Sequence, residues 1–351
     1  MRPQELKRLP RHPLGLDWPT VAWPTGSLDE RIDQDKMRHA VRLSFEGGAD
    51  AVTGMTDALL VIHRGRLVFE EYASGVGPSD TLRSWSLAKG FLNALYGRLV
   101  QENLVTLDSA TGLAEWSKPG DLRSQITIRQ LLNMCSGLDF NEDHADPNSD
   151  SGRMLWGAGA QDMGAYAIER PLRAQPGSRF SYSSGDSMIL ATILRRALES
   201  RGLNVSEWIK AQLLDPLGMS TAILRYDEAG TWIASSYLFA SARDFARLGY
   251  LFLRDGRWHG VELFPDSWLD FTRSWVPASK AEGYGAHFWL TSGRKGIFFA
   301  DGYEGQRILI DPTSDLVIVR LGKTALSQQR ALQEALAWIV ASFDQVGPAV
   351  H

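Results

Sequence analysis

The first strong apolar pattern of the chain is a pair of short β-rich segments. They span 58–63 (ALLVIH) and 67–72 (LVFEEY), with Gly65 in the turn between them. Two such runs around a glycine turn predict a β-hairpin and the start of a sheet. The preceding segment, 1–35, is rich in proline, tryptophan and charge without periodicity, so we expect an arm on the body rather than a domain.

The middle and the end of the chain show two further patterns. Apolar residues recur at helical spacing in 87–99, 126–135 and 187–200, which predicts a mostly helical block. Three short β runs then follow one another between positions 296 and 321, and 331–343 has the pattern of an amphipathic helix.

Strands at both ends of the chain around a helical middle predict an α+β fold. We expect one antiparallel sheet built from N- and C-terminal segments and flanked by helices, with an inserted mostly helical domain. The expected boundaries are an arm at 1–35, a sheet domain at 36–85 and 225–351, and a helical domain at 86–224. The cleft between the two domains is the natural place for an active site.

Charge and composition narrow the classes of partner. The 351 residues include 37 Lys and Arg against 41 Asp and Glu, a net charge of −4, which excludes nucleic-acid binding driven by bulk charge. No apolar run approaches the roughly 18 residues that cross a bilayer, and the first 19 positions lack the apolar stretch of a signal peptide. We expect a soluble, cytoplasmic protein; the single cysteine, Cys135, fits a reducing compartment.

Several common chemistries have no motif in this chain. The sequence contains no His-Glu-x-x-His pair and no Cys-x-x-Cys, so we expect no metal site. It also lacks a complete phosphate-binding or dinucleotide-binding glycine loop and the Gly-x-Ser-x-Gly elbow of many hydrolases, and we expect no cofactor.

The remaining candidate is a serine three residues before a lysine. Ser-x-x-Lys occurs at 86–89 and at 292–295, and the second match lies in a glycine-flanked turn where we take it to be chance. The first match opens a helix, so Ser86 and Lys89 share one face and can touch. The unpaired N–H groups and the dipole at a helix start would stabilise a developing oxyanion on Ser86.

Lys89 has two possible roles. It can act as a base only if desolvation lowers its pKa from about 10.4 towards 7; if it stays charged, it can still orient and polarise Ser86. The alternative to both is a serine cap beside a solvated lysine.

With this Ser-x-x-Lys motif, the sequence resembles the penicillin-recognising serine hydrolases. These include class C β-lactamases, D-alanyl peptidases, carboxylesterases and the 6-aminohexanoate-dimer hydrolase type. The resemblance extends from about residue 56 to 321. It rests on five segments in family order: 83–109 (RSWSLAKG and onward), 126–143 (ITIRQLLNMCSGLDFNED), 176–194 (PGSRFSYSSGDSMILATIL), 213–224 (LLDPLGMSTAIL) and 241–260 (SARDFARLGYLFLRDGRWHG).

The resemblance implies a catalytic set around Ser86. It places the family's Tyr-x-Asn element on Tyr182-Ser183-Ser184, with Ser184 where many relatives have asparagine. Tyr182 is then the candidate acid/base, because a phenol near a lysinium has a lowered pKa and can move the serine proton. Ser184 would help to hold this network.

The resemblance also places the family's third element on Tyr303-Glu304-Gly305, where Tyr303 replaces the usual cation or indole. Gly305 would let a ligand lie against a strand edge, and the N–H of Gln306 would complete an oxyanion hole with that of Ser86. The alternative is a simple turn glycine between two strands.

Two further residues are candidates for substrate binding. Glu142 lies in the acidic loop 139–153, which is either a solvated loop or a rim that favours cationic substrates. Trp156 can wall an apolar acyl pocket. We expect Cys135 and His287 to be structural.

These observations predict a serine hydrolase that cleaves small esters or linear amides through an acyl-serine intermediate. The departures at Ser184 and Tyr303 both fall on groups that serve lactam chemistry, so β-lactams are the less expected substrates. The alternatives are a penicillin-binding-type D-amino peptidase or weak β-lactamase, and a non-turnover module that acylates slowly or merely binds peptides or penicillin-like ligands. The sequence leaves the oligomeric state open.

Overall fold

The computed structural model describes residues 6–291 and 296–346. Its largest element is a six-stranded antiparallel sheet with the order β2-β1-β11-β10-β9-β8, so strands from both ends of the chain lie side by side. Its strands are β1 (Met55–His63), β2 (Arg66–Tyr72), β8 (Trp289–Leu290), β9 (Phe298–Gly302), β10 (Gln306–Asp311) and β11 (Leu316–Lys323). The remaining strands are short: β3 (Leu82–Arg83), β4 (Ile223–Leu224), β5 (Leu238–Ala240), β6 (Arg257–Trp258) and β7 (Val261–Glu262).

The described residues form eleven α-helices, some of which cover the two faces of the sheet. They are α1 (Gln34–Phe45), α2 (Ala88–Gln101), α3 (Ile128–Leu132), α4 (Asp150–Trp156), α5 (Met163–Ile168), α6 (Ser184–Glu199), α7 (Val205–Ile209), α8 (Asp215–Leu217), α9 (Ala242–Leu253), α10 (Trp268–Arg273) and α11 (Gln329–Ser342).

The central strands are apolar on both sides because both faces of the sheet are covered. Leu59 and Val61 of β1 pack in one apolar cluster with residues of α1 and α11. Leu60 and Ile62 point to the opposite face, into the larger cluster that contains α2, α6 and α9. Successive residues of this continuous hydrophobic strand therefore point to opposite faces of the sheet and pack in two separate apolar layers.

The fold agrees with the predicted α+β class. The β1–β2 hairpin, the three late strands and the C-terminal helix all form as predicted, and one antiparallel sheet contains them. Helix α1 was not predicted; it begins at the Asp33 cap and packs against α11. The division into a sheet domain and a helical domain at 86 and 225 stays a prediction. Among the described residues, no helix combines the length and apolar character needed to cross a bilayer.

Candidate active site

Ser86 lies in a single 3-10 turn, Trp85–Leu87, that leads directly into α2. The backbone before it is fixed because the N–H of Ser84 donates to the carbonyl of Leu238 at 2.9 Å. Trp85 has a φ of +47°, a conformation that a bulky side chain rarely adopts. The nucleophile candidate therefore stands on a strained turn at the start of a buried helix.

Lys89 is buried one turn further on, where three oxygen atoms receive hydrogen bonds from its amine. Its Nζ lies 3.0 Å from Ser86 Oγ, 3.2 Å from Ser184 Oγ and 3.0 Å from the carbonyl oxygen of Ser235. Burial lowers the pKa of Lys89 to about 8, while the carboxylate of Glu142 acts in the opposite direction. Desolvation therefore brings the amine close to its neutral form, as its predicted role as a base requires.

The partners of Lys89 determine how a neutral amine would be oriented. The carbonyl of Ser235 can only accept, and the hydroxyl of Ser184 donates its proton to Glu142 Oε1 at 2.5 Å. Both therefore take N–H groups from Lys89, and the third direction, towards Ser86, is left for the lone pair. The lone pair of the neutral Lys89 amine can therefore accept the proton of Ser86.

Tyr182 lies close to the amine of Lys89. Its ring is stacked on Trp289 and in edge contact with Tyr284. The Nζ of Lys89 lies 5.0 Å from the centre of the Tyr182 ring, over its face. Burial raises the pKa of Tyr182 well above its usual value; Glu142 also raises it, while the hydrogen bond with Ser86 lowers it. The expectation of a lowered pKa was wrong, because desolvation outweighs any effect of the lysinium and the phenol stays protonated.

Glu142 is not on the rim of the cleft. Both of its carboxylate oxygens bind Ser184: Oε2 accepts the backbone N–H at 2.7 Å, and Oε1 accepts the hydroxyl. Ser184 is the first residue of α6, so the carboxylate also lies at the positive end of that helix. The interpretation of Glu142 as a solvated or substrate-facing residue is corrected by these contacts.

Gly305 faces away from the nucleophile. A side chain at this position would collide with Leu332 of α11 and Arg320 of β11, on the outer side of the sheet. Gln306 is buried, and its side-chain amide bonds the backbone of Gly322 on β11. The expectation that Gly305 lines the cleft is therefore wrong.

The glycine that approaches the nucleophile is Gly302, three residues earlier. A Cβ at this position would lie 2.5 Å from the carbonyl oxygen of Ser84. Within residues 6–291 and 296–346, strand β8 pairs with β9 at Phe298 and Phe299, and its pairing does not extend to Gly302 at the end of β9. The β9–β10 ladder ends at the pair of Gly302 with Gln306, so Tyr303 lies beyond the last pair of this ladder.

Tyr303 and Trp156 are both exposed aromatic residues. The ring of Tyr303 is in edge contact with Trp85, at 5.6 Å, and lies 5.5 Å from the ring of His144, so it lies beside the nucleophile segment. Trp156 ends α4, and its indole N–H donates to the hydroxyl of Tyr237. Its role as the wall of an acyl pocket stays a prediction.

The other titratable groups near the cluster have structural contacts. His287 Nδ1 lies 3.0 Å from the carbonyl oxygen of Lys89, and burial lowers its pKa to about 3, so the ring is neutral. Burial raises the pKa of Cys135 to about 12, which leaves a protonated and unreactive thiol. The described ranges, 6–291 and 296–346, contain no cluster of three metal-ligating side chains. The second Ser-x-x-Lys match, at 292–295, lies outside them.

The sequence reasoning missed Ser235 and Gly302, and it missed the role of Glu142 in binding Ser184. Ser235 contributes only a backbone carbonyl, which leaves no signal in residue type. Gly302 had a signal: it is the first glycine of the Asp-Gly-Tyr-Glu-Gly stretch, and only one of the two glycines was considered.

Comparison with known proteins identifies the family. The sequence model of the Beta-lactamase family matches residues 45–342, most of the chain, and the chain therefore belongs to this family of serine-type hydrolases. A 6-aminohexanoate-dimer hydrolase of Paenarthrobacter ureafaciens is 27% identical over 287 residues, which are 76% of this chain and 72% of that protein.

Solved structures show the same fold. A Bacillus anthracis protein assigned as a 6-aminohexanoate-dimer hydrolase has a TM-score of 0.73 at 24% identity, over 91% of this chain and 87% of its own. A penicillin binding protein from Bacillus halodurans has a TM-score of 0.64 at 16% identity, over 88% and 99% of the two chains. These likenesses confirm the predicted β-lactamase-like architecture.

Proposed function

We propose that this member of the β-lactamase family hydrolyses small esters or linear amides through an acyl intermediate on Ser86. One observation carries the proposal: the buried amine of Lys89 lies 3.0 Å from Ser86 Oγ, with its other two hydrogen-bond directions committed to Ser184 and Ser235. A serine is a weak nucleophile unless a base takes its proton, and this amine is held in position to do so.

In the acylation step, Ser86 Oγ attacks the carbonyl carbon while its proton passes to the neutral amine of Lys89. The negative charge that develops on the carbonyl oxygen is stabilised by two backbone N–H groups, those of Ser86 and Tyr303. We assign the second donor to Tyr303 rather than Gln306 because Gly302, which precedes it, is the glycine in contact with the nucleophile segment.

Collapse of the tetrahedral intermediate breaks the bond to the leaving nitrogen or oxygen. Tyr182, which burial keeps protonated, gives its proton to that atom and regains one from the ammonium of Lys89. A water molecule then attacks the acyl carbon while its proton passes to Lys89, and the ammonium of Lys89 returns that proton to Ser86 Oγ as the bond to the acid breaks. Each proton borrowed in acylation is thus returned.

The mouth of the cleft favours neutral or amine-bearing substrates over penicillins. Glu304, whose carboxylate accepts the indole N–H of Trp85, contributes negative charge beside the nucleophile segment. A carboxylate-bearing lactam would meet repulsion there. The relative from Paenarthrobacter is named for hydrolysis of the 6-aminohexanoate dimer, which supports amides as one substrate class.

Replacement of Ser86 tests the proposal. We expect Ser86→Ala to lose at least about a thousandfold in the hydrolysis of p-nitrophenyl butyrate and of 6-aminohexanoate dimer, because the nucleophile is gone. Ser117→Ala is the matched control, since Ser117 is exposed and its hydroxyl donates to the carbonyl of Ala114 in the same turn. Unchanged turnover by Ser86→Ala would reject the assignment.

Mass spectrometry of the intact wild-type protein separates the alternatives. Mixing with the ester should show a transient acyl adduct on Ser86 that decays at the turnover rate. A persistent adduct without turnover would instead favour a binding module, and faster turnover of nitrocefin than of the esters and amides would favour a β-lactamase.

A further inference from the structure

We propose that Glu142 is a positioning residue for acylation: it directs the hydroxyl of Ser184 so that the lone pair of Lys89 is left for Ser86. The inference rests on the proposed function, since it concerns the step in which Lys89 takes the proton of Ser86. It assigns a role to a loop residue that neither the sequence pattern nor the family resemblance singled out for catalysis.

The contacts of Glu142 hold its carboxylate in one position. Its side chain is only 15% exposed, and it reaches from the 139–149 loop to the first turn of α6. The two oxygens receive the hydroxyl and the backbone N–H of the same residue, Ser184, at 2.5 and 2.7 Å. These two hydrogen bonds fix the torsion of the Ser184 hydroxyl, because its proton points at one charged acceptor, the carboxylate of Glu142.

The direction of that proton decides what Lys89 can do. A Ser184 hydroxyl that donates to Glu142 offers only lone pairs to the amine 3.2 Å away. Without the carboxylate, the same hydroxyl can turn and donate to Lys89, where it occupies the lone pair that must receive the proton of Ser86. Glu142 thus acts on the nucleophile through two intermediates, Ser184 and Lys89.

The charge of Glu142 has a second, measurable effect. It is the carboxylate that raises the pKa of Lys89 against desolvation. The other titratable groups around this site include Tyr182, Tyr284, Asp186, His287, Asp301 and His144, of which His144 lies 3.6 Å from Glu142. Burial keeps Tyr182 and His287 neutral and raises the pKa of Asp186 to about 7. Removal of the Glu142 charge would therefore let the pKa of Lys89 fall.

The sign of the effect on a pH profile follows from this. Activity rises with pH as Lys89 loses its proton, so a lower pKa of Lys89 moves the acid limb of kcat/KM to lower pH. A merely structural role of Glu142 would change stability or the plateau and leave this midpoint in place. The midpoint is therefore the readout that distinguishes positioning from folding.

The test compares pH profiles of kcat/KM for p-nitrophenyl butyrate in three variants. For Glu142→Gln we expect a plateau lower by about 10- to 100-fold and an acid midpoint at lower pH than in the wild type. For Glu142→Asp, which keeps the charge but shortens the reach, we expect a lower plateau with a midpoint close to that of the wild type. Glu199→Gln is the matched control, because Glu199 lies at the far end of the same helix, paired with Arg195.

A double variant tests whether Glu142 acts through Ser184. In a Ser184→Ala background, Glu142→Gln should cost much less of the plateau than it does in the wild type, because no hydroxyl remains to direct. An equal loss in both backgrounds would overturn the proposal. So would a Glu142→Gln profile that superimposes on that of the wild type.

Two further outcomes are decisive. If Glu142→Gln does not fold, the Glu142→Asp plateau carries the test, and a plateau equal to that of the wild type would contradict the positioning role. If Ser86→Ala is inactive and Glu142→Gln is not impaired, the proposed function stands and this inference alone fails.

Discussion

Among the cationic side chains buried in the core, two have surroundings that differ in a way that separates catalysis from scaffolding. Lys89 and Arg320 are 1% and 0% exposed, and neither has a carboxylate in direct contact among the described residues. Lys89 bonds two hydroxyls and one carbonyl. Arg320 bonds mainly backbone carbonyls, including those of Glu304 and Gly305 at 3.2 and 3.1 Å.

The difference lies in what each cation can give up. Burial lowers the pKa of Lys89 to about 8, so the amine can be neutral in the working range. Burial lowers the pKa of Arg320 only to about 10, and the guanidinium stays charged. Arg320 therefore holds the turn that contains Tyr303, whereas Lys89 can exchange a proton. Both side chains are desolvated. The residue type and the hydrogen-bond partners determine that Lys89 can act as a base and that Arg320 cannot.

The largest expected effect is on Lys89. We expect Lys89→Met to reduce kcat/KM for p-nitrophenyl butyrate by at least about a thousandfold. Its free energy of unfolding should change by no more than about 1 kcal/mol, because the lost hydrogen bonds are offset by the removal of a buried charge. Kinetics and urea unfolding measure the two quantities, with Lys210→Met, at an exposed ion pair, as the control. A variant that keeps a tenth of the activity would remove the contrast between the two cations.

Tyr182 should show an effect that depends on the leaving group. We expect Tyr182→Phe to lower kcat/KM by about a hundredfold for a linear amide and by less than about tenfold for a p-nitrophenyl ester. An amine leaves only when it is protonated, whereas p-nitrophenolate needs no proton. Equal losses on the two substrates would mean that the phenol does not protonate the leaving group.

Replacement of Arg320 should affect stability more than activity, the reverse of what we expect for Lys89. We expect Arg320→Met to destabilise the protein by about 3 kcal/mol, because several buried carbonyls lose their donor. Activity per folded molecule should fall only about tenfold, through displacement of the Tyr303 turn. Arg330→Met, at an exposed ion pair on α11, is the control for urea unfolding. A loss of activity as large as that of Lys89→Met would give Arg320 a part in the chemistry.

Sequence reasoning found the parts of this picture that depend on local spacing. Ser86 and Lys89 are three residues apart on one helix, so their contact follows from helical geometry alone. The sheet strands and the last helix could be read from apolar periodicity for the same reason. Tyr182 and Ser184 came from the family pattern, and the distance of Ser184 from Lys89 agrees with it.

The missed features depend on contacts between distant segments. The carbonyl of Ser235 reaches Lys89 across 146 positions of sequence, and Glu142 reaches Ser184 across 42. Gly302 and Gly305 belong to the same turn, and both are small enough for a close approach. They face opposite sides of the sheet, and only the packing of α11 against one side decides which of them meets the nucleophile.

The central claim is that a neutral Lys89 takes the proton of Ser86, and the pH dependence of the wild-type enzyme tests it most directly. The measurement is kcat/KM for p-nitrophenyl butyrate between about pH 6 and 10, with the Ser86→Ala rate subtracted. We expect one ionisation with a midpoint near 8, activity rising towards high pH as the amine loses its proton, and the same midpoint in Tyr182→Phe. A rate that is flat across this range, or that falls as pH rises through 8, would contradict the account.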